Sequence, residues 1–452
     1  MFHRSIIEEL QIWANQDSHK PLILRGARQV GKTVAVNMFA GEFDRYVYLD
    51  LQKEDDLNIF KQKLPVQQLI QMIALKKNVD LSSGKRLIFI DEIQNSPEAT
   101  GILRYFYEEL PDVYIIAAGS LLEIMMDYKQ VSFPVGRVEY RYMYPLTFFE
   151  FLNAMGKNLA SDYFSAIPVP RLAHKTLLEL FHTFTLVGGM PEIIQKYREK
   201  PDIIILKKIY EGIMTTYLND VAKYARSLTI AALLRHAIEY APLEAGKRVK
   251  YQGFGNSDYR SREMSEVLRT LERAMLVKLI YPTTSVQIPA QPDLKKSPRL
   301  QFLDTGLLNF RADLQVSFFE YNDLHGFYQG KIAEHIAYQE IIASDSLTDQ
   351  KPVFWTRETR QSNAEVDYLL PYRNILVPVE IKAGKSGSLR SLHQFMDRVE
   401  HPWAIRLYAG EIGVNRVRTT KGKSFYLLNL PYYLSGKLNA YAEWFISENP
   451  TI

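Results

Sequence analysis

The chain has 452 residues, and at roughly 100–200 residues per domain this length predicts about two to four domains. Its 47% hydrophobic and 23% charged residues are typical of a globular protein and exclude a disordered or fibrous chain. Cysteine is absent, which excludes a disulfide framework, a thiolate nucleophile and any Cys-ligated metal site. The formal charge of +4 is too small to indicate a nucleic-acid-binding protein by itself, so any basic surface must be local.

The N-terminus and the longest apolar run bear on where the protein is located. The N-terminus, MFHRSIIEELQIW, lacks the apolar core of a signal peptide. The longest apolar run, Val113 to Met126, is interrupted by Glu123 and is shorter than the roughly 20 residues that span a bilayer. It favours a buried strand followed by a turn. These features, together with the absence of Cys, predict a cytoplasmic protein without a membrane partner.

Short apolar runs alternate with amphipathic stretches in the first third of the chain. The runs PLILRG, RYVYLDL, KRLIFIDE and DVYIIAAGS predict strands, and Pro65–Lys77 and Ala99–Leu110 predict helices between them. Because fully apolar strands suit a parallel sheet that is covered on both faces, residues 1–155 are predicted to form an open α/β domain.

Helical periodicity replaces the strands after Phe149 and predicts a helical lid over residues 156–225. The order helix, helix, strand that follows indicates a winged helix over residues 226–285. A segment rich in Pro, Gln and Ser, residues 286–298, is the predicted linker. Mixed helices and strands then predict a third α/β domain over residues 299–436, followed by a tail over residues 437–452.

A glycine-rich loop between the first predicted strand and helix indicates a phosphate site. The sequence GARQVGKT fits G-x-x-x-x-G-K-[ST], in which the glycines let backbone N–H groups point at phosphate oxygens. Lys32 is predicted to reach the β- and γ-phosphates and Thr33 to hold Mg²⁺. A surface turn is the alternative, against which the flanking strand and helix argue. The predicted nucleotide-binding residues are Gly26, Ala27, Arg28, Gln29, Val30, Gly31, Lys32, Thr33 and Asp91.

Two carboxylates end the apolar run LIFIDE. They are expected at the carboxyl end of a strand, where open α/β sheets bind ligands. Asp91 is predicted to join Thr33 at Mg²⁺, and Glu92 to polarise the attacking water. Alone, such a run is more often a strand end with solvated carboxylates, but the phosphate loop upstream favours the functional interpretation.

Two further residues are candidates for the same chemistry. Ser120 follows the strand VYIIAAG and is placed to sense the γ-phosphate or the water, although a turn serine is nearly as common. Arg137 could supply a cation to the transition state, within the chain or across a subunit boundary, or could be a salt-bridged surface arginine.

The motifs GARQVGKT, LIFIDEIQ, AAGS, GR followed by YPLTFFEF, and LVGGMPEII resemble, in this order, the AAA-type ATPases of bacteria and archaea whose helical lid is followed by a winged helix. The resemblance covers about half of the chain. It implies ATP as the nucleotide, since no N-K-x-D segment for guanine is present, and Mg²⁺ as its cation. An arginine supplied by a neighbouring subunit would require a homo-oligomer.

The predicted winged helix contains a basic stretch before its second helix. Phosphate-contacting cations beside a helix that can enter a major groove are what DNA binding requires. Glutamates on the same helix favour the alternative, a module that contacts proteins. The basic residues are Lys247, Arg248, Lys250, Arg260 and Arg262.

A set of charged residues stands out in the C-terminal part. Glu334 lies on a predicted helix, Asp367 in a strand, and Glu380 and Lys382 two residues apart, hence on one face, in the next strand. Carboxylates can hold Mg²⁺ beside a phosphodiester, and a lysine can orient the attacking water. A cross-strand salt bridge is the common alternative for Glu-x-Lys.

The arrangement of these four residues resembles the PD-(D/E)xK nuclease fold, although Val366 replaces the proline of the motif. The resemblance implies Glu334, Asp367 and Glu380 as metal ligands and Lys382 as a catalytic residue. The leading hypothesis is therefore a Mg²⁺-dependent ATPase with a P-loop parallel sheet, a helical lid, a winged helix and a restriction-endonuclease-like domain that binds or cleaves DNA. The alternative is a nucleotide-dependent regulatory switch whose C-terminal domains dock proteins.

Overall fold

The computed structural model describes residues 2–120, 136–223, 225, 227–315, 331–359, 362–384 and 389–449. Its first sheet contains five parallel strands in the order β2-β3-β4-β1-β5. These strands are β1 (Leu22–Arg25), β2 (Arg45–Asp50), β3 (Arg86–Asp91), β4 (Val113–Gly119) and β5 (Glu139–Tyr142). β1, β3 and β4 consist mainly of buried apolar residues, since helices cover both faces of the sheet.

The helices of the first half cover the first sheet and then form a separate helical region. Those around the sheet are Ile6–Ala14, Lys32–Phe39, Glu54–Lys61, Val66–Lys77 and Pro97–Glu109. Those of the helical region are Phe148–Ala154, Asn158–Ser165, His174–Val187, Pro191–Glu199, Ile203–Lys223, Leu228–Glu244 and Ser261–Arg273. The helix Ser261–Arg273 buries one face, through Met264, Val267, Leu268 and Leu271, and exposes the other.

Two smaller sheets follow. The second sheet has the order β7-β6-β8-β9, and the third has the order β10-β11-β12-β14-β13. The strands are β6 (Val277–Thr283), β7 (Arg299–Phe302), β8 (Val353–Thr359), β9 (Ser362–Val366), β10 (Tyr368–Tyr372), β11 (Ile375–Ile381), β12 (Trp403–Tyr408), β13 (Gly413–Arg418) and β14 (Ser424–Pro431). The helices Thr305–Arg311, Lys331–Ala343, Arg390–Met396 and Leu438–Glu448 accompany them.

The second sheet joins strands from both sides of the predicted linker. Residues 286–298 connect β6 to β7, which are antiparallel neighbours, and β6 also pairs in parallel with β8. The segment therefore connects two neighbouring strands of one sheet. The predicted domain boundaries themselves stay predictions.

A buried carboxylate fastens the helical region to the chain that follows β7. Asp304 is fully buried and accepts the backbone N–H of Gly189 at 2.6 Å and that of Leu307 at 3.0 Å. Asn309 donates its side-chain amide to the Thr185 carbonyl at 2.9 Å, near the end of the helix His174–Val187. The turn in LVGGMPEII is thus shaped to receive the start of the helix Thr305–Arg311.

A second buried carboxylate joins the C-terminal part to the helical region. Glu340, on the helix Lys331–Ala343, accepts the backbone N–H of Phe148 at 3.1 Å through both carboxyl oxygens. Burial raises the pKa of the Glu340 carboxyl to about 8, although the Phe148 N–H lowers it. One continuous apolar core also runs from the first sheet through the helical region to β12 and β14.

The predicted strands of the first sheet are confirmed, and the predicted parallel α/β arrangement is observed. The end of the apolar run, residues 121–126, lies outside the described residues. β5 was not predicted, because its sequence EYRY is polar and only Arg141 within it is buried. Asp367, which was predicted to lie within a strand, lies between β9 and β10, where the chain passes from the second sheet to the third.

Within the described residues, no single helix is both long enough and apolar enough to cross a membrane. Residues 171–187 and 191–199 meet that test only when they are taken together, and they are bent by 118° against each other.

Candidate functional site

The glycine-rich loop lies between β1 and the helix Lys32–Phe39 at the carboxyl edge of the first sheet. Gln29 and Gly31 have φ angles of 65° and 99°, in the left-handed region that turns successive N–H groups inward. A Cβ atom on Gly26 would overlap the Met143 carbonyl oxygen, so only glycine fits there. The loop therefore has the curled backbone that an anion-binding nest requires.

Lys32 is buried at the start of the helix, and its amine lies within the loop. The Nζ atom donates hydrogen bonds to the carbonyl oxygens of Gly26 at 2.8 Å and Ala27 at 2.9 Å. Burial lowers the pKa of the Lys32 amine to about 8, whereas Glu92 and Asp91 raise it. The amine is thus a desolvated cation, and a phosphate placed in the loop would favour its charged form.

Arginines that brace the loop form a support that the motif alone does not reveal. The Arg4 guanidinium donates to the carbonyls of Val30 and Tyr144, each at 2.7 Å, and pairs with Glu150 at 3.0 Å. Arg28, predicted to contact nucleotide, forms an ion pair with Asp220 on the helix Ile203–Lys223 through its side chain. The helical region therefore contacts the phosphate loop directly.

Two acidic residues follow β3 at the same edge of the sheet. The Thr33 hydroxyl donates to Asp91 Oδ2 at 2.6 Å, so the two predicted Mg²⁺ ligands are adjacent. Glu92 has a φ angle of 54°, a backbone conformation that is unusual for residues other than glycine. Functional sites often contain residues in such a conformation. Gln94, which is buried and received no role from the sequence, donates its amide to Glu92 Oε2. Gln94 thereby orients the predicted water-polarising carboxylate.

Ser120 and Arg137 lie at opposite ends of the strands of the first sheet, Ser120 at the carboxyl ends and Arg137 at the amino ends. Ser120 is buried directly after β4, at the edge where Asp91 ends β3. Arg137 precedes β5, whose first residue pairs with Leu22, the first residue of β1. It is thus separated from the phosphate loop by the length of β1, about 13 Å at ~3.3 Å per residue. Arg137 pairs there with Glu108 at 2.9 Å, as in the alternative of a salt-bridged surface arginine.

The exposed face of the helix Ser261–Arg273 carries more arginines than the basic stretch predicts. Arg262, Arg269 and Arg273 share one helical face, since they are spaced by seven and four residues, and with Glu266 they line a surface cleft. Arg269 and Arg273 were missed because Glu263, Glu266 and Glu272 on the same helix offset the local positive charge. Lys250 and Arg260 are exposed, whereas Arg248 pairs with Glu365 at 2.6 Å.

The four charged residues predicted in the C-terminal part converge. Asp367, between β9 and β10, accepts the backbone N–H of Ile381 at 2.9 Å, and Lys382 pairs with Glu380 at 2.6 Å. Burial and the charge of Asp367 raise the pKa of both the Glu334 and the Glu380 carboxyl. Together with Glu365 on β9, these residues form one carboxylate cluster, which comprises Glu334, Glu365, Asp367 and Glu380.

An arginine that the sequence did not single out enters the carboxylate cluster from β7. Arg299 Nη1 lies 3.2 Å from Glu334 and 3.3 Å from Asp367, and its Nη2 lies 2.7 Å from Glu365. Burial lowers the pKa of Arg299, but the carboxylates raise it by more, so the side chain stays charged. Arg299 belongs to the PRLQF segment, whose separation from Glu334 in sequence hides the contact.

The two predicted metal sites differ in the oxygen donors that they offer. In the part of the chain that the structure describes, no group of three or more Asp, Glu or His side chains is arranged to hold a metal ion. Thr33 and Asp91 fit a nucleotide-bound Mg²⁺, because they supply two adjacent oxygen donors and the phosphates would supply others. The carboxylate cluster does not fit a metal ion in the same way, because the Arg299 guanidinium lies between the Glu334 and Asp367 carboxylates.

Three family models match successive parts of the chain. Residues 18–152 match an AAA domain. This region contains an AAA-type P-loop ATPase domain. Residues 178–317 and 329–433 match two domains of unknown function, DUF8612 and DUF4143. The boundary between these two falls between β7 and β8, strands of a single sheet.

Solved structures show similarity at low identity, and no curated protein matches the chain. A Walker-type ATPase of Pyrococcus abyssi is 14% identical with a TM-score of 0.45, covering 69% of this chain and 96% of that one. The ORC2 protein of Aeropyrum pernix is 12% identical with a TM-score of 0.30, covering 70% and 95%. The RuvB Holliday junction branch migration motor of Thermotoga maritima is 14% identical with a TM-score of 0.27, covering 62% and 90%.

Proposed function

We propose that the chain binds ATP with Mg²⁺ and hydrolyses it. The observation that carries this proposal is the convergence of Lys32, the Thr33–Asp91 pair and Glu92 at one edge of the first sheet. The matched AAA domain supports the same conclusion. Each residue has the chemistry that phosphoryl transfer to water demands.

The chain's own residues divide the work of hydrolysis. The loop N–H groups and the Lys32 ammonium bind the phosphate oxygens, and charge builds up on these oxygens in the transition state. Thr33 and Asp91 would hold Mg²⁺, which neutralises phosphate charge when it is bound. Glu92 accepts a proton from the water that attacks the γ-phosphorus, while the bond to the β-phosphate oxygen breaks and ADP leaves. Gln94 keeps the Glu92 carboxylate oriented.

Arg137 acts, in this proposal, on the nucleotide of a neighbouring subunit. Its side chain is 45% exposed and lies at the sheet edge opposite the phosphate loop of its own chain. An arginine placed in this way can neutralise transition-state charge only at another copy. A homo-oligomer is therefore the proposed active form.

The ATPase domain is proposed to act together with DNA contact by the helix Ser261–Arg273. Arg262 and Arg269 are exposed on the free face of this helix, and Lys250 and Arg260 are exposed just before it. Clustered cations beside an exposed helix suit the phosphates of a duplex. Cleavage of DNA by the C-terminal part is not included in the proposal, because Arg299 and Lys382 pair with the carboxylates that a metal would need.

Hydrolysis is tested by phosphate release from ATP with Mg²⁺. We expect Glu92→Gln to lower kcat by at least ~100-fold while ATP binding persists, because the water loses its proton acceptor. Glu109→Gln, a change at an exposed glutamate outside the site, is the matched control. A Glu92→Gln variant that hydrolyses ATP at the wild-type rate would remove Glu92 from this role.

DNA contact is tested by fluorescence anisotropy with a labelled duplex over a range of salt concentrations. Arg262→Ala with Arg269→Ala should weaken binding and reduce the slope of log K against log salt by about 1 per lost phosphate contact. Lys76→Ala, which removes an exposed cation far along the chain, should leave the slope unchanged. Equal binding by the double variant and the wild type would disprove the contact.

A further inference from the structure

We propose that Arg299 is a built-in counterion that takes the place of a divalent metal ion in the carboxylate cluster. In this view the cluster fastens β7 to the C-terminal part and does not bind Mg²⁺ or Mn²⁺. The proposal concerns the second and third sheets and is independent of ATP hydrolysis.

The position of the guanidinium is the first argument. Arg299 Nη1 is within 3.3 Å of both Glu334 and Asp367, two of the three carboxylates predicted to share a metal. A bound Mg²⁺ needs its oxygen ligands at about 2.1 Å, and Mn²⁺ likewise requires close oxygen donors. A cation between the two carboxylates would therefore meet the guanidinium at short range, with strong repulsion in this buried site.

Charge balance is the second argument. The four carboxylates of the cluster face three cations, of which Arg248 and Arg299 pair with Glu365, and Lys382 pairs with Glu380. The positive charge that a metal would contribute is thus largely supplied by the chain. The second oxygen of Asp367 is also engaged, since it accepts the Ile381 N–H.

Arg299 is also held in place from several sides. Its side chain is only 12% exposed, and its guanidinium lies 4.5 Å from the centre of the Phe354 ring. Its backbone pairs with Ile280 of β6 and forms a bridge with Arg248. The second sheet thus fixes the backbone of Arg299, while the Phe354 ring and the carboxylates hold its side chain.

Binding of Mn²⁺, counted by electron paramagnetic resonance without nucleotide, tests the proposal. All proteins carry Thr33→Ala, which removes one ligand of the loop site. We expect Asp367→Asn to leave the Mn²⁺ binding of the parent protein unchanged. Arg299→Ala should gain one bound Mn²⁺ per chain, at least tenfold tighter than any site in the parent, and Asp367→Asn should remove it again.

Two results would overturn the proposal. One is Mn²⁺ binding by the parent protein that disappears with Asp367→Asn. The other is an Arg299→Ala variant that is folded by circular dichroism yet gains no Mn²⁺. If Arg299→Ala does not fold, the parent and its Asp367→Asn variant decide alone, and equal Mn²⁺ binding by these two supports the proposal.

Discussion

Gly189 donates its backbone N–H to the buried carboxylate of Asp304 at 2.6 Å, although 115 residues separate the two in sequence. Asp304 also accepts the Leu307 N–H, so its removal leaves at least two buried donors without a partner. Each such donor costs about 1–3 kcal/mol. We therefore expect Asp304→Ala to lower the free energy of unfolding by ~3 kcal/mol, measured by thermal and denaturant unfolding. Asp162→Ala, at an exposed helical site, should change it little, and equal losses in both variants would contradict this role.

The buried Glu340 carboxyl predicts a dependence of stability on pH. Its pKa in the folded protein is raised to about 8 from an ordinary value of 4.5, so the folded state binds more protons than the unfolded state. The resulting stabilisation is complete below pH 4.5 and is lost as the pH rises through 8. We expect the free energy of unfolding of Glu340→Gln to exceed that of the wild type by ~2 kcal/mol at pH 8.5, which raises its melting temperature. At pH 5 we expect no such increase.

Scanning fluorimetry from pH 5 to pH 9 measures this difference. Glu443→Gln, at an exposed glutamate of the last helix, is the control and should follow the wild-type curve. A constant offset between Glu340→Gln and the wild type at every pH would show that the Glu340 carboxyl does not titrate as proposed.

Lys32 predicts a dependence of ATP affinity on pH. Its pKa is lowered to about 8 in the free protein, and bound phosphates favour the charged amine. Above pH 8, binding must therefore take up a proton, and ATP affinity should fall by up to about tenfold per pH unit. Titration calorimetry between pH 7.5 and pH 9.5 measures this fall. Lys32→Arg keeps its charge throughout, so any affinity that it retains should be flat over the same range.

The Thr33–Asp91 pair predicts how Mg²⁺ contributes. Thr33→Ala should abolish the enhancement of ATP hydrolysis by Mg²⁺, whereas Thr33→Ser, which keeps the hydroxyl, should preserve most of it. The measurement is the initial rate of phosphate release against Mg²⁺ concentration for the two variants. Similar Mg²⁺ curves for the Ala and Ser variants would separate Thr33 from the cation.

Arg137 predicts complementation between inactive subunits. Lys32→Ala cannot bind phosphates, and Arg137→Ala cannot assist its neighbour, so each protein alone should be nearly inactive. A mixture should recover part of the activity, because an Arg137→Ala subunit can bind ATP beside a subunit that supplies Arg137. Phosphate release by the mixture against the separate proteins is the measurement, and no recovery in mixed oligomers would contradict action across subunits.

The sequence predicts the strands of the first sheet well for a physical reason. β1, β3 and β4 are buried and apolar, and the loop and the Asp91–Glu92 pair depend on residues that lie close together in the chain. Contacts between residues that lie far apart in the chain could not be predicted from the sequence. Arg299 meets Glu334 and Asp367 only because β7 joins the second sheet, and Arg4 reaches Val30 only through the fold. No motif in the sequence assigned either arginine to a site.

Strand β6 pairs with β7 on one side and with β8 on the other, across the boundary between the two matched domains of unknown function. A fragment cut between residues 317 and 329 would split this sheet and leave β6 and β8 with open hydrogen-bonding edges, which promote aggregation. Limited proteolysis should accordingly yield no stable C-terminal fragment that starts near residue 329. Such a result would make the two regions a single folding unit, so that an evolutionary exchange of one would have to carry the other with it.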